Sequence, residues 1–564
     1  MDRNSILAIL LVFLIWTSWM SFQAPPQKQG ESPSHVAEKS EKNENPQLNS
    51  NENLPLENPK IETSKRIAKK FSPESERILE NEFLKVVIGS TGGQIKSLLL
   101  KKYRESLNKK SPPINLISNE GDEEPFGLRL NSLGEDLIVL GFREKGFDPE
   151  KKEVVYEFLD RDFLGKHSVK IEKTYRLEPH SYNLHSQIRI INIGNRILRE
   201  QPGITWNKWL GEPPRRKMFS PPPDLWQSMA LLAGNKLVKM DAKDSESVSG
   251  SISWASLGSR YFLMAIFPLW EGGSKFVSQE KSLKSGKELE NTLWASQLKL
   301  APGESVKLTY KIFAGPKELA LLEGEGSHLN RALDLGFFEF FALLLLKILK
   351  FSYSLVGNWG LAIIFLTVLI KIVLFPLSHK SFKSMKEMQK IQPLLKELRE
   401  KFKDDKEQLN MQTLKVMKEH KVNPLGGCLP MLIQLPIWFA LYKVLYSSIE
   451  LRHAPFYFWI QDLSAKDPYY ITPILLGVSM FVQQRFSPKP PDPMQAKMMM
   501  FMPLMFSFIM LGLPSGLVIY IFCNTFLSIL QQAYINRSLD GKPLLSFAGL
   551  KGQNLSINQN QNKS

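Results

Sequence analysis

The chain has 564 residues, 72 Lys+Arg against 56 Asp+Glu, a formal charge of +16 and only two cysteines, Cys428 and Cys523. The length allows three or four units, and the positive balance points to an anionic partner, either nucleic acid or a membrane surface. Two cysteines exclude a disulfide scaffold and a Cys-rich zinc site. Both lie in apolar runs, where a free buried thiol is the ordinary state.

Ile6–Phe22 is an apolar run of 17 residues, near the lower limit for a spanning helix. A cleaved signal peptide competes, but Gln23-Ala24-Pro25-Pro26 offers no good small-x-small cleavage site. Residues 1–23 therefore read as an uncleaved signal-anchor helix with its N-terminus in the cytoplasm. Residues 24–75 are rich in Pro, Glu, Lys, Asn, Gln and Ser and bury too little to offset their ordering entropy. They read as a disordered linker.

Residues 76–325 change character. Short runs such as Phe83–Ile88, Leu137–Leu140, Val169–Leu177, Tyr182–Ile191, Tyr261–Phe267 and Val306–Phe313 are β-branched, aromatic or alternating, with Gly, Pro, Asn and Asp between them. That pattern predicts an all-β sandwich or barrel, placed outside the cytoplasm by the anchor before it. Residues 326–354 include an apolar run that carries Glu339, Lys347 and Lys350. It reads as an amphipathic helix lying in the outer interface.

Five apolar segments follow, at 355–377, 424–446, 469–486, 496–513 and 515–534. Each is long enough to cross about 30 Å of hydrocarbon. The loop 378–423 carries 12 Lys/Arg, whereas 447–468 carries only Arg452 and Lys466. Basic loops favour the cytoplasm, which puts 378–423, the short loop at 487–495 and the tail at 538–564 inside. A crossing at 335–353 would invert this order, so the chain reads as six spans plus one interfacial helix. Within 378–423, Met388, Ile391, Leu395, Leu398 and Phe402 follow coiled-coil spacing. A turn at 403–406 and a returning helix through Met411, Leu414 and Met417 complete a helical hairpin, with Pro393 expected to kink its first arm.

Nucleotide-binding loops, metal-helix motifs and nucleophile elbows are absent, so neither an enzyme nor a cofactor is expected, and DNA is not an expected partner. The informative residues lie in the apolar segments. Lys371 sits inside the first one, with Thr367 four residues earlier on the same helix face. A cation there costs about 2.5–3.5 kcal/mol unless it reaches water or a partner. Two readings stand: Lys371 snorkels to the cytoplasmic headgroups, or it faces a hydrated cavity. The five segments contain no Asp or Glu to pair with it. The last segment adds a polar stripe of Tyr520, Asn524, Ser528, Gln531 and Gln532. Thr472, Ser479 and Gln483 form a weaker one, and Gln434 contributes an amide. Such residues form interhelical hydrogen bonds or line a groove. Met494, Met498, Met499, Met500, Met502, Met505 and Met510 fit a surface that accepts many apolar partners, or simple filler.

Several runs resemble the YidC membrane-protein insertases: Val356-Gly357-Asn358-Trp359-Gly360, Phe375-Pro376-Leu377, Lys421 through Pro430, Gln434-Leu435-Pro436-Ile437, Leu451 through Phe456, Asp462 through Tyr470, and Pro514-Ser515-Gly516-Leu517-Val518. Gly92 through Lys96 and Lys173 through Leu177 extend the resemblance more weakly to the β-rich region. It implies a Gram-negative inner-membrane form with both termini cytoplasmic and residues 24–334 periplasmic in a β-supersandwich. It further implies a five-helix core, 355–537, around a hydrophilic groove open to the cytoplasm and to lipid.

On this resemblance the function is insertion and chaperoning of membrane proteins, alone or with the Sec translocon. The partners are nascent membrane proteins, lipids and, through 378–423 and the basic tail, the ribosome. Lys371, Thr367, Gln434, Gln483, Tyr520, Asn524, Ser528, Gln531 and Gln532 would line the groove. Met431, Phe439, Met498, Met502 and Met505 would form the apolar exit. The family usually has Arg where this chain has Lys371, so a point charge replaces a planar fork; Ile521 stands where many relatives have an aromatic. The rival reading, a secondary transporter or channel using Lys371 as a binding site, calls for internal repeats and acidic coupling residues. A second rival, a sugar-binding outer domain, calls for an aromatic platform or paired carboxylates in one cleft.

Overall fold

Alternating apolar and polar side chains build the strands between Glu76 and Pro316 in the computed structural model. The structure describes residues 75–117, 126–131, 141–163, 167–211, 225–240, 242–283, 286–403, 405–420, 429–486 and 493–540. The expected anchor at 1–23, nearly all of the linker, the run Leu137–Leu140, the start of the 424–446 segment and most of the tail lie outside these residues.

The strands form antiparallel sheets. The first contains β1 (Glu76–Glu80), β2 (Leu84–Gly89), β3 (Gln94–Arg104) and β4 (Pro113–Asn115) in sequence order. The second runs β14 (Glu246–Gly250), β17 (Ser274–Leu283), β18 (Gly286–Trp294), β11 (Pro202–Gly211) and β5 (Phe126–Leu130). The largest has nine strands: β13 (Lys236–Lys239), β12 (Gln227–Leu232), β15 (Ile252–Gly258), β16 (Phe262–Pro268), β20 (Ser305–Pro316), β9 (Asn183–Asn192), β8 (His167–Leu177), β7 (Glu153–Phe163) and β6 (Arg143–Asp148). β10 (Leu198–Glu200) pairs with β19 (Leu298–Leu300). On β8 and β9 every second residue is buried, from Val169, Ile171 and Tyr175 across to Leu184, Ile188 and Ile190. Period-two burial of this kind fixes the register.

The two weaker sequence runs meet in space. Lys173 Nζ donates to the Gly92 carbonyl at 2.5 Å, and Tyr175 Oη donates to that of Gly93 at 2.8 Å. Gly92 and Gly93 both have positive φ, 64° and 52°, and the Phe142 ring lies 3.1 Å from where a Cβ on Gly93 would stand. The glycines are thus required by backbone angle and by space, and β8 is tied to the turn between β2 and β3.

The five-stranded sheet has two unlike faces. Ile204, Trp206, Phe276, Leu289 and Leu293 form the apolar one, with Trp206 stacked on Phe276 at 5.6 Å. The other face buries Arg129, Thr205, Asn207, Glu288, Glu290 and Thr292. There the Glu290 carboxylate accepts two bonds from Arg129 at 2.8 Å and one from Gln279 at 2.6 Å, and pairs with Lys281 at 2.8 Å. Burial alone would raise its pKa, but the Arg129 and Lys281 bonds dominate and hold the carboxyl at about 2.

Helices follow. α1 (Leu319–Gly324) is short. α2 (Glu339–Val356) buries Ala342, Leu345, Leu346, Leu349 and Ser352 on one face and ends at Gly357, φ 65°. α3 (Trp359–Val373) starts at an Asn358 cap whose side chain accepts from Leu361 N. The expected segment 355–377 is therefore shorter: a left-handed glycine and a cap break the chain before Trp359. α4 (Phe375–Lys401) leaves α3 at 64°, where Pro376 in its first turn lacks the N–H that would continue α3.

α4 and α5 (Lys406–Glu419) lie where the hairpin is expected, with Asp405 capping α5. Among the described residues, Pro393–His420 fall in a different compact unit from the rest. Met411 and Leu414 lie on α5, the returning helix, and are 57% and 58% exposed. Leu409, Thr413, Val416 and Met417 are half-buried.

α6 (Leu429–Ser447), α7 (Ile471–Phe486), α8 (Pro493–Met510) and α9 (Ser515–Asp540) complete the described chain. α9 packs on α7, α3 and α6; α2 packs on α3 and α6; α8 packs mainly on α7. By length and composition Ser515–Ile535 suffices to cross a membrane, and α3 with α4 does so as a bent pair. α9 runs on to Asp540, past the expected start of the tail at 538.

Candidate functional site

The site forms where α3 meets α9. Thr367 and Lys371 are one helical turn apart on α3, so both face the same neighbour. Lys371 Nζ donates to Ser528 Oγ at 2.6 Å, and Ser528 Oγ donates to the Asn524 carbonyl at 2.8 Å. Among the described residues no carboxylate forms an ion pair with Lys371. The amine is half-buried and held by one hydroxyl. The other groups the sequence picked out divide into two kinds.

Some are engaged structurally. Thr367 is buried and its hydroxyl donates to the Ile363 carbonyl at 2.7 Å. Gln532 is also buried and donates to the Phe486 carbonyl at 3.0 Å, tying α9 to the end of α7. Ser479 donates to Leu476 O and Thr472 to Asp467, so the weaker stripe on α7 is largely engaged within its own segment. Others remain adaptable. Gln434 Nε2 donates to Tyr520 Oη at 3.1 Å, linking α6 to α9. Asn524 and Gln531 are half-buried, and the Gln531 Nε2 is a buried donor without a protein acceptor; Gln483, also half-buried, is already engaged. Polar atoms with unused hydrogen-bonding capacity beside a lysine attract water or a polar guest.

The expected exit residues fall in two places. Met498, Met502 and Met505 are exposed on α8, four and three residues apart. Nearly the whole circumference of that helix is exposed and apolar, including Phe501, Leu504 and Phe508. Phe439 instead stacks on Phe338 at 6.3 Å, beside α2. Met431 lies in the first turn of α6.

Three features escaped the sequence reading. Asp467 is buried and accepts from Trp459, Tyr469 and both the amide and hydroxyl of Thr472, which caps α7. Gln484 donates to the Met499 carbonyl across α7 and α8. Arg260 of the β-rich region donates to the Tyr446 carbonyl at the end of α6 and lies 3.5 Å from the Tyr446 ring centroid. An aspartate a few residues before an apolar helix is the one signal that could have revealed the first.

Residues 351–542 match the model of the 60Kd inner membrane protein family, and residues 78–348 match the YidC periplasmic domain. The protein named Membrane protein insertase YidC in Geobacter sulfurreducens is 38% identical over 466 residues, 80% of this chain and 85% of that one. Its namesake in Geobacter metallireducens is 36% identical over 556 residues, 96% of this chain and 99% of the relative.

The chain belongs to the YidC membrane-protein insertase family.

A crystal structure of an active YidC insertase is similar at 18% identity and a TM-score of 0.34, covering 81% of this chain and 91% of that one. A galactose mutarotase-like protein from Lactobacillus casei matches 43% of this chain at 12% identity and a TM-score of 0.32. YidC proteins are inner-membrane proteins and not enzymes. They combine a β-rich periplasmic domain with a helical C-terminal part, and the sheets before Pro316 and the helices after it follow that division.

Proposed function

We propose that this chain inserts nascent membrane proteins into the inner membrane, from a groove between α3, α6 and α9 that faces the cytoplasm. Family membership supports the insertase activity. The observation that carries the groove is Lys371, a cation on an apolar helix with a hydroxyl partner and no carboxylate among the described residues. An acidic or polar substrate segment supplies the missing countercharge. Gln434, Asn524 and Gln531 offer hydrogen bonds to it or to water. The substrate's apolar helix then leaves along α8, whose exposed methionines accept varied side chains. Burial in lipid, worth about 25 cal/mol per Å², drives that step.

The same reading assigns six spans, an interfacial α2, cytoplasmic termini and a periplasmic supersandwich over 24–334. It includes a chaperone role and work alone or beside the Sec translocon. The basic 378–423 hairpin, read as a coiled coil, contacts ribosome or anionic lipid through phosphates. Reconstitution into liposomes with a single-span substrate bearing an acidic tail tests the core of it. Lys371→Arg should insert like the natural chain and Lys371→Ala about tenfold less. Full insertion by Lys371→Ala would sink the charge-capture step.

A further inference from the structure

The loop between α6 and α7 holds an aromatic tip in a conformation that water does not favour. Phe458 is 87% exposed with φ of 58°, a left-handed angle unusual for a bulky residue. Tyr457 beside it is half exposed.

The tip is held rigidly. Phe456 N donates to Ile460 O at 2.9 Å, Gln461 Nε2 donates to Phe458 O at 3.1 Å, and Trp459 Nε1 donates to Asp467 at 3.0 Å. Phe456 presses on Gly360 so closely that a Cβ there would collide with the ring. The rest of the loop is bound to the start of α9: Ser515 Oγ donates to Asp462 O, Ser515 N to Ala465 O and Gly516 N to Leu463 O. One loop is thereby fastened to the first residues of α3, α7 and α9, the ends of three apolar helices. The flank of α7 just beyond it exposes Ile474, Leu475 and Val478. Whatever surrounds that flank continues onto the loop. Exposed Tyr469 and Lys466, whose amine lies 3.2 Å from Tyr470 Oη, sit on the same segment. Aromatic rings beside a cation at helix ends match the headgroup layer of a bilayer.

We propose that Tyr457 and Phe458 form a fixed wedge seated in the outer-leaflet interface, among lipid headgroups and upper acyl chains, with Lys466 supplying a cation for the phosphates. The wedge sets the height of the helical core in the bilayer. It rests on the reading of α6 and α7 as spans, and its test separates the two.

A nitroxide is attached at Phe458→Cys in the full chain carrying Cys428→Ser and Cys523→Ser, reconstituted in phosphatidylethanolamine and phosphatidylglycerol vesicles. Tyr457→Cys serves as a second labelling site should the first variant fold poorly. Collision with oxygen is compared with collision with a water-soluble nickel chelate, using labels at Val478→Cys and Glu419→Cys as lipid and aqueous references. The expected result is oxygen-favoured collision at 458, close to Val478 and far above Glu419. Nickel-favoured collision at 458 with Val478 still oxygen-favoured overturns the wedge alone. Low collision with both reagents at 458 also overturns it, by making the occupant protein rather than lipid. A nickel-accessible Val478 overturns the span reading and the wedge together.

Discussion

The β-rich region buries a cation, Arg129, and the helical region half-buries one, Lys371, and they treat it differently. Arg129 meets a carboxylate in paired bonds, and Lys281 and Gln279 fill the remaining oxygen positions. Lys371 meets a single serine hydroxyl. A carboxylate whose lone pairs are all taken has no capacity left for a guest and serves the fold; the proposed groove rests instead on a cation held by one hydroxyl. The contrast extends to surfaces. The β-rich region buries its aromatics in pairs such as Trp206 and Phe276, whereas α8 turns Met498, Phe501, Met502, Leu504 and Met505 outward. An exposed apolar helix is unfavourable in water and natural in lipid.

Breaking the saturated pair should have the largest effect. Glu290→Gln leaves Arg129 and Lys281 without their countercharge and should cost about 3–5 kcal/mol, read as a lower unfolding midpoint of the β-rich region. Acid should act on the same bond. The folded carboxyl at about 2 lies below its ordinary value of 4.5, so its stabilisation is complete above the ordinary value. It fades as pH falls from there through about 2. Thermal midpoints between pH 6 and pH 2 should drop in the natural chain and drop less in Glu290→Gln.

Close packing in the helical region is tested by Gly360→Ala, whose methyl would collide with Phe456. A destabilisation of about 1–3 kcal/mol is expected, with faster proteolysis of the 447–468 loop as its signature. Opening the under-satisfied site should instead spare the fold. Lys371→Ala should lower insertion of an acidic-tailed substrate about tenfold, the ratio that about 1.4 kcal/mol supplies, while the unfolding midpoint stays put or rises. A midpoint that falls as far as in Glu290→Gln would show that both cations are structural. The smallest effect belongs to Lys350→Met, which removes the partly exposed pair with Glu450 at 2.6 Å. A loss of at most about 1 kcal/mol in the midpoint is expected.

Much of the site was legible in one dimension because helical spacing is regular. Tyr520, Asn524 and Ser528 fall four apart, and Lys371 follows Thr367 by four, so each face could be drawn before either helix was placed. Which members remain available could not be drawn. Gln532 and Thr367 share the stripe with Gln531 and Lys371, yet the end of α7 takes one side chain and its own helix takes the other.

Composition and periodicity determined that this chain has a strand-rich region followed by apolar helices, that one of those helices carries an unpaired cation, and that the basic loop lies between the first two. These follow from local chemistry, repeated every two or every 3.6 residues. Tertiary structure alone decided that Ser528 is the partner of Lys371, that Glu290 is the partner of Arg129, and that Phe456 packs against Gly360 while Phe458, two residues away, is exposed. Those outcomes depend on atoms distant in sequence meeting within 3–4 Å, and no local pattern encodes that.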